Sequence, residues 1–215
     1  MEDSFSTRKL LSGTDLKALN AKSDFAGFLQ LGSHIAAIVL CGYLHVLAMG
    51  SWWVLASGFA LGVTINFLYA GQHELSHWTV FRTKRLNAWF GRAIGFLMLF
   101  PRDYDQVMHF AHHRWTAQWE RDGELTRAPF NLTSYLLYFS GVTYWLNRVT
   151  GLVRRARGII IEPYIGSMHA KGIVLESRLH LLGYVAIAAA SLYFESWAAL
   201  APTLEPFLCT HVRKF

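Results

Sequence analysis

Two short histidine clusters hold the side chains of this chain that are best suited to chemistry. In the first cluster His73 and His77 are four residues apart, and in the second His109, His112 and His113 follow an H-x-x-H-H pattern. Residues three or four apart lie on one face of a helix, so the imidazoles of each cluster can reach a common ion. Neutral imidazole is the usual ligand of zinc, iron, copper and nickel. The two clusters therefore predict a transition-metal site.

Two kinds of metal chemistry remain open from these clusters. Glu74 gives the first cluster the form H-E-x-x-H, in which two histidines bind zinc and the glutamate is the general base of a hydrolase. A catalytic zinc takes three protein ligands, which would leave part of the second cluster unexplained. Five histidines better fit two metals that share a histidine-rich cage, so the residues favour a non-haem di-iron oxygenase, with the zinc hydrolase as the alternative.

The remaining histidines are interpreted as structural. His34 and His45 lie inside a long apolar segment and are expected to be neutral packing residues that form hydrogen bonds. His169 and His180 have no second histidine at ligand spacing, and His211 stands alone among polar residues of the tail. A metal site needs several convergent groups, so none of these five is predicted as a ligand.

A long apolar segment precedes the first cluster. Residues 25–72 contain no Asp, Glu, Lys or Arg. A membrane-spanning helix needs about 20 apolar residues, so the segment predicts two spans, at residues 28–48 and 52–71, with a turn at 49–51. In water, a helix that is apolar on every face would need a far larger protein around it. The predicted fold class is therefore all-α, a multi-pass helical membrane protein.

Composition and charge agree with a membrane protein. Hydrophobic residues make up 53% of the 215 residues and charged residues 16%, with a mean hydropathy of +0.26. A soluble domain carries about 25% charged residues, and a disordered or nucleic-acid-coating chain would carry more. The net charge of +6 comes largely from basic residues before the hairpin and after it. Lys and Arg excess marks the cytoplasmic side, so the histidine clusters are expected there, with no nucleic-acid partner.

The whole chain, residues 1–215, is predicted to be a single domain with five successive segments. A polar N-terminal segment (1–24) precedes the first transmembrane hairpin (28–71), and a histidine-box region (72–127) follows it. Residues 128–178 are expected in the membrane interface, because a span there would put Arg148 and Arg154 on the wrong side. Residues 179–215 form an incomplete second hairpin, with apolar stretches at 181–194 and 197–208.

The order of these features resembles the membrane fatty acid desaturase/hydroxylase superfamily. The likeness includes the apolar hairpin, a first box within residues 71–77 and a second within 109–114. Smaller motifs add to it: Phe81-Arg82-Thr83, Leu86-Asn87, Asp122-Gly123-Glu124-Leu125 and Glu176-Ser177-Arg178. The family usually has Asp-Pro-Glu-Leu after its second box, so Gly123 is a departure. The resemblance extends over residues 24–206.

The resemblance implies a membrane enzyme that uses two iron ions, O2 and an external electron donor, cytochrome b5-like or ferredoxin-like. Such an enzyme introduces a double bond or a hydroxyl into a lipid-like or apolar substrate. The implied metal ligands are His73, His77, His109, His112 and His113. Asp105 and Asp122 are weaker candidates for orienting imidazole N–H groups, the alternative being a solvated helix face. The implied location is the endoplasmic reticulum, or the inner membrane of a bacterium.

The family carries a third histidine box after its second hairpin, and no H-x-x-H-H follows residue 113 before Phe215. Five histidines cannot fill two iron coordination spheres without water or further protein ligands. The sequence is therefore expected to be a C-terminally truncated member in which the second iron site is in question. An inactive membrane protein of desaturase ancestry is a third interpretation.

Overall fold

The fold is helical. The computed structural model describes residues 12–125 and 131–194, which form helices, turns and loops without a β-strand. In chain order the helices are α1 (Gly13–Leu19), α2 (Asp24–Ala48), α3 (Trp53–Asn66), α4 (Leu68–Ser76), α5 (Lys84–Leu97), α6 (Arg102–Trp115), α7 (Leu132–Phe139), α8 (Val142–Ala156) and α9 (Ser167–Tyr193). The predicted all-α class is confirmed.

Among the described residues, three helical segments are long and apolar enough to cross a membrane. They are Asp24–Ala48, Trp53–Ser76, which consists of α3 and α4, and Ser167–Tyr193. Gly50 has a φ of 83° in the short turn between α2 and α3, a left-handed conformation that glycine adopts without steric cost. Both helices of the predicted hairpin are present, and the second runs past residue 71 to Ser76. As a result, His73 lies on the end of a spanning segment.

The outer faces of these segments are apolar. Val39 is 66% exposed, Leu55 69% and Leu182 65%. A soluble monomer rarely leaves so much contiguous apolar surface in water. This surface suits contact with lipid chains, in agreement with the hydropathy of the sequence.

The buried core lies where α4, α5 and α6 meet the start of the hairpin. Leu75, Phe81 and Met98 are almost fully buried there. Gly27 of α2 allows this close packing, because a Cβ at that position would lie 2.6 Å from both the Phe81 ring and the Val80 carbonyl oxygen. The first span is thereby held against the residues that follow the first histidine cluster.

Helix α9 is tied to the start of α6 by a buried carboxylate. Glu176 accepts hydrogen bonds from the backbone amides of Arg102 and Asp103, at 3.0 and 2.7 Å. The first amides of a helix have no acceptor within the helix, and Pro101 before α6 gives no side-chain cap. Glu176 therefore fixes the helix that carries the second histidine cluster.

The segment boundary predicted between residues 178 and 179 falls inside α9, which is continuous from Ser167 to Tyr193. The stretch predicted at 197–208 lies outside the described residues, as does the tail with His211. The other predicted segment bounds stay predictions.

Candidate metal centre

The two histidine clusters lie on neighbouring helices. Helix α4 ends at His77 with a left-handed residue, Trp78 (φ 61°), and the amide of Thr79 donates to the carbonyl of Glu74. This pattern is a Schellman motif, which ends the helix sharply. The side chain of Gln106 in α6 donates to the Ser76 carbonyl at 2.6 Å. The end of α4 is thereby bonded to the middle of α6, beside both sets of imidazoles.

Three imidazole Nε2 atoms meet at one point. The Nε2 atom of His77 lies 2.7 Å from that of His109 and 3.2 Å from that of His113. The Nε2 atoms of His109 and His113 are 2.8 Å apart. Nitrogen lone pairs this close repel one another unless a proton or a metal cation lies between them. The three nitrogens are therefore placed so that together they could bind one metal ion.

His73 completes a group that we call the four-ring cluster: His73, His77, His109 and His113. The ring centre of His73 lies 4.1 Å from that of His109 and 5.0 Å from that of His77. One ligand nitrogen from each of these three residues lies within 4.8 Å of the other two. The structure thus brings together four of the five histidines that the sequence proposes as ligands.

The fifth proposed ligand, His112, lies at the edge of this group. Its ring centre is 6.2 Å from that of His109 and 6.0 Å from that of His113. Both carboxylate oxygens of Asp122 lie 2.9 Å from its Nδ1. Asp122 therefore contacts an imidazole, and its proposed role in orienting that N–H group toward a metal stays a prediction.

A second carboxylate was missed by the sequence analysis. Glu124 accepts a hydrogen bond from Nδ1 of His109 at 2.7 Å. A carboxylate on Nδ1 keeps the proton there and leaves the Nε2 lone pair free to bind a metal. The signal was present in the sequence, since Glu124 belongs to the same four-residue motif as Asp122, but no spacing rule pairs it with His109.

Both carboxylates of this turn are held in their ionised form. Burial opposes ionisation of Asp122, but hydrogen bonds from His112 and from the amides of Glu124 and Ala117 outweigh it and lower its pKa. Burial likewise opposes ionisation of Glu124, and the hydrogen bond and positive potential of His109 keep its pKa below the ordinary value. Two fixed negative charges thus lie behind the imidazoles, where they favour a bound cation.

Asp105 occupies a different position from the one proposed. It is 2% exposed, and within the described residues it accepts from the Gln72 side chain, at 3.0 Å, and from no histidine ring. Burial raises the pKa of Asp105 to about 6. The alternative of a solvated helix face is also wrong for this residue. Its contact with the centre is indirect, because Gln72 precedes His73 in α4.

The donor set fits a metal that prefers imidazole. Burial lowers the pKa of His77, and the rings of His109 and His113 lower it further, so its neutral, metal-binding form is favoured at neutral pH. Glu74, the base of the alternative zinc hydrolase, is exposed, and its carboxylate accepts from the Thr79 hydroxyl at 2.7 Å. The geometry therefore supports a histidine-rich metal centre backed by Asp122 and Glu124.

Comparison with known proteins relates the chain to one family. Residues 50–213 match the family model described as "Fatty acid desaturase". The chain is also 32% identical over 133 residues to fatty acid desaturase 3 of Bos taurus. That alignment covers 60% of this chain but 29% of the bovine protein, so the chain spans less than a third of the length of that relative. No solved structure matches significantly.

Proposed function

The chain belongs to the fatty acid desaturase family, and we propose that it is a membrane-bound non-haem di-iron oxygenase. It would introduce a double bond, or a hydroxyl, into a lipid-like or apolar chain with O2 and electrons from an external donor. The observation that carries this proposal is the convergence of three Nε2 atoms within 3.2 Å, with a carboxylate behind His109. Family membership favours iron over the zinc of the alternative hydrolase.

The residues of this chain would hold and orient the metal. Bound iron would supply the O2 chemistry needed to oxidise an unactivated C–H bond. His73, His77, His109 and His113 would donate Nε2 or Nδ1 lone pairs, and Glu124 would keep the His109 proton at Nδ1. Asp122 would do the same for His112, the fifth proposed ligand. The four-ring cluster offers ligands for one iron ion. The proposal of a second iron ion depends on family membership alone.

The proposed electron donor would approach from the side of His113. This ring is exposed, whereas His109 is 4% exposed and lies against the buried core. A donor protein could therefore approach the exposed His113 ring, while His109 stays shielded from water. The donor class, cytochrome b5-like or ferredoxin-like, comes from the family resemblance.

The bilayer is proposed as both environment and source of substrate. The three spanning segments present apolar side chains outward, and α8 adds a stripe of exposed residues, Val142, Leu146 and Val149. The opposite face of α8 buries Arg148 and Leu152. An amphipathic helix of this kind is typical of the membrane interface, and we propose that position for α8. We propose the endoplasmic reticulum, or a bacterial inner membrane, with the histidines on the cytoplasmic side.

Metal analysis of the purified chain in lipid nanodiscs, combined with an O2-dependent assay on acyl lipids, tests this function. We expect near-stoichiometric iron and a new double bond or hydroxyl in the lipid. Glu74→Gln should leave the iron content unchanged, because Glu74 bonds to Thr79 rather than to an imidazole. One zinc per chain, together with a hydrolase activity that Glu74→Gln abolishes, would establish the alternative.

The proposed orientation has its own test. Asn131-Leu132-Thr133 has the form of an N-glycosylation acceptor, and Asn131 is exposed at the start of α7. We expect no glycan at Asn131 when the chain is expressed in a eukaryotic cell, because this segment would face the cytoplasm. Glycosylation at that residue would place the histidine centre on the opposite side.

A further inference from the structure

We propose that Gly123 and Tyr164 form a positioning contact that holds the carboxylates of Asp122 and Glu124 on the metal-binding imidazoles. The inference rests on the proposed metal centre and adds two residues that act on it through others. Gly123 is also the position at which this chain departs from the usual family motif. The proposed contact gives a physical reason for a glycine at position 123.

Gly123 lies against two side chains with no room for a Cβ. A Cβ there would be 2.7 Å from the Tyr164 hydroxyl, 2.8 Å from the Tyr164 ring and 2.8 Å from Cγ of Met108. Real Cβ atoms do not come this close to other atoms, so any side chain would push the turn outward. Met108 directly precedes His109, so the contact sets the distance between the carboxylate turn and α6.

Tyr164 is itself held in place from other elements. Its hydroxyl lies 3.2 Å from that of Tyr104 in α6. The guanidinium carbon of Arg155 lies 3.6 Å from the centre of the Tyr104 ring. Nη1 of Arg155 also donates a hydrogen bond to the Glu162 carboxylate at 3.2 Å. A movement of Tyr164 away from the turn would therefore break its contact with Tyr104, which Arg155 holds in place.

The turn is rigid enough to transmit such a displacement. Asp122 accepts hydrogen bonds from the amides of Ala117 and Glu124, at 3.1 and 3.0 Å, as well as facing His112. These bonds fix the internal shape of the turn, so an added methyl moves the turn as a unit. A shift of about 1 Å would lengthen bonds of 2.7–2.9 Å to His109 and His112 beyond hydrogen-bond distance.

The test is the affinity of the nanodisc-embedded chain for Co²⁺, measured by titration of its visible absorption. We expect Gly123→Ala to weaken binding about 10-fold, at the lower end for loss of residues that support metal ligands. Gly32→Ala, at a position where a Cβ meets no atom within 4 Å, is the matched control and should bind as wild type. An unchanged affinity in Gly123→Ala overturns the inference.

A second measurement separates positioning from general loss of stability. In an Asp122→Ala, Glu124→Ala background the added Gly123→Ala should cause no further loss of Co²⁺ affinity, because the side-chain acceptors that it would displace are already absent. A further 10-fold loss there would contradict the inference. If Gly123→Ala does not fold, Tyr164→Phe replaces it: removal of the bond to Tyr104 should weaken binding in the wild-type background and not in the double variant. Wild-type protein that binds no Co²⁺ would instead contradict the proposed metal centre.

Discussion

The chain has one group of histidines in the α2–α3 hairpin and another in the candidate metal centre. The rings of the two groups contact different partners. In the hairpin, Nε2 of His34 lies 2.8 Å from the Thr64 carbonyl oxygen, and Nδ1 of His45 lies 3.1 Å from the Ser57 hydroxyl. In the metal centre, the rings meet other imidazoles and the carboxylates of Asp122 and Glu124. His34 and His45 each link α2 to α3, whereas the histidines of the candidate metal centre bring several nitrogen lone pairs close together.

The difference suggests a criterion, local negative charge, for separating a packing histidine from a proposed metal ligand. Residues 25–72 contain no acidic side chain, so a cation bound between His34 and His45 would have no compensating charge in lipid. Asp122 and Glu124 follow the second cluster closely and supply that charge. A histidine pair with acidic residues nearby in the fold is therefore the better candidate for metal binding.

The largest expected effect comes from removing the histidine at the middle of the cluster. His109→Ala deletes the ring that contacts His73, His77 and His113, and we expect iron or Co²⁺ affinity to fall at least about 100-fold, since a metal site fails when convergent ligands are lost. His45→Ala removes a histidine from the hairpin and should leave the metal content unchanged. Metal analysis of both purified variants measures the contrast. Equal loss in the two variants would remove the distinction between the regions.

The sequence was sufficient for those parts of the molecule that follow a period or a charge gap. The apolar hairpin and the pairing of histidines within each cluster could be predicted because hydropathy and helical spacing act locally. Asp105 shares a helix face with His109 by spacing, yet its carboxylate bonds to Gln72, while Glu124 reaches His109 across a loop. Spacing cannot rank these two acids, because loop contacts depend on tertiary packing.

The start of α9 depends on tertiary packing in a similar way. The predicted segments divide the chain between residues 178 and 179, whereas α9 runs without a break from Ser167 to Tyr193. The structure buries Glu176, because two amides of α6 satisfy its carboxylate. The helix can therefore continue through it from Ser167.

The carboxylates of Asp122 and Glu124 allow a second test of the difference between the two groups of histidines. Glu124→Gln and Asp122→Asn should each weaken metal affinity about 10–100-fold, since each removes a charge-assisted bond to an imidazole Nδ1. Glu120→Gln, an exposed acid of the same loop, is the matched control and should bind as wild type. Competition titration with a coloured chelator measures the affinities. Wild-type affinity in both test variants would mean that imidazoles alone define the centre.

A pH effect of intermediate size is expected beside the centre. The pKa of Asp105 in the folded chain is about 6, above its ordinary value of 3.8, because burial disfavours the charge. The folded state therefore holds this proton more tightly than the unfolded state, and the stabilisation is present below pH 3.8 and lost as the pH rises through 6. Ionisation of Asp105 should cost the metal-free protein about 3 kcal/mol of unfolding free energy over that window. Asp105→Asn should remove this contribution and reduce the slope of the stability profile, measured by thermal unfolding in nanodiscs, while Glu120→Gln keeps the wild-type slope.

The smallest effect is expected in the hairpin, where a histidine has only a packing role. His34→Leu removes the contact to the Thr64 carbonyl oxygen, which lies in the last turn of α3. Interhelical hydrogen bonds in membranes contribute about 0.6 kcal/mol on average, so the loss of unfolding free energy should be of that order. Metal affinity should stay at the wild-type value, because no ligand lies in this part of the hairpin. A loss of metal from His34→Leu with unchanged stability would show that the hairpin histidines belong to the centre, and local charge would then fail as the criterion that separates the two regions.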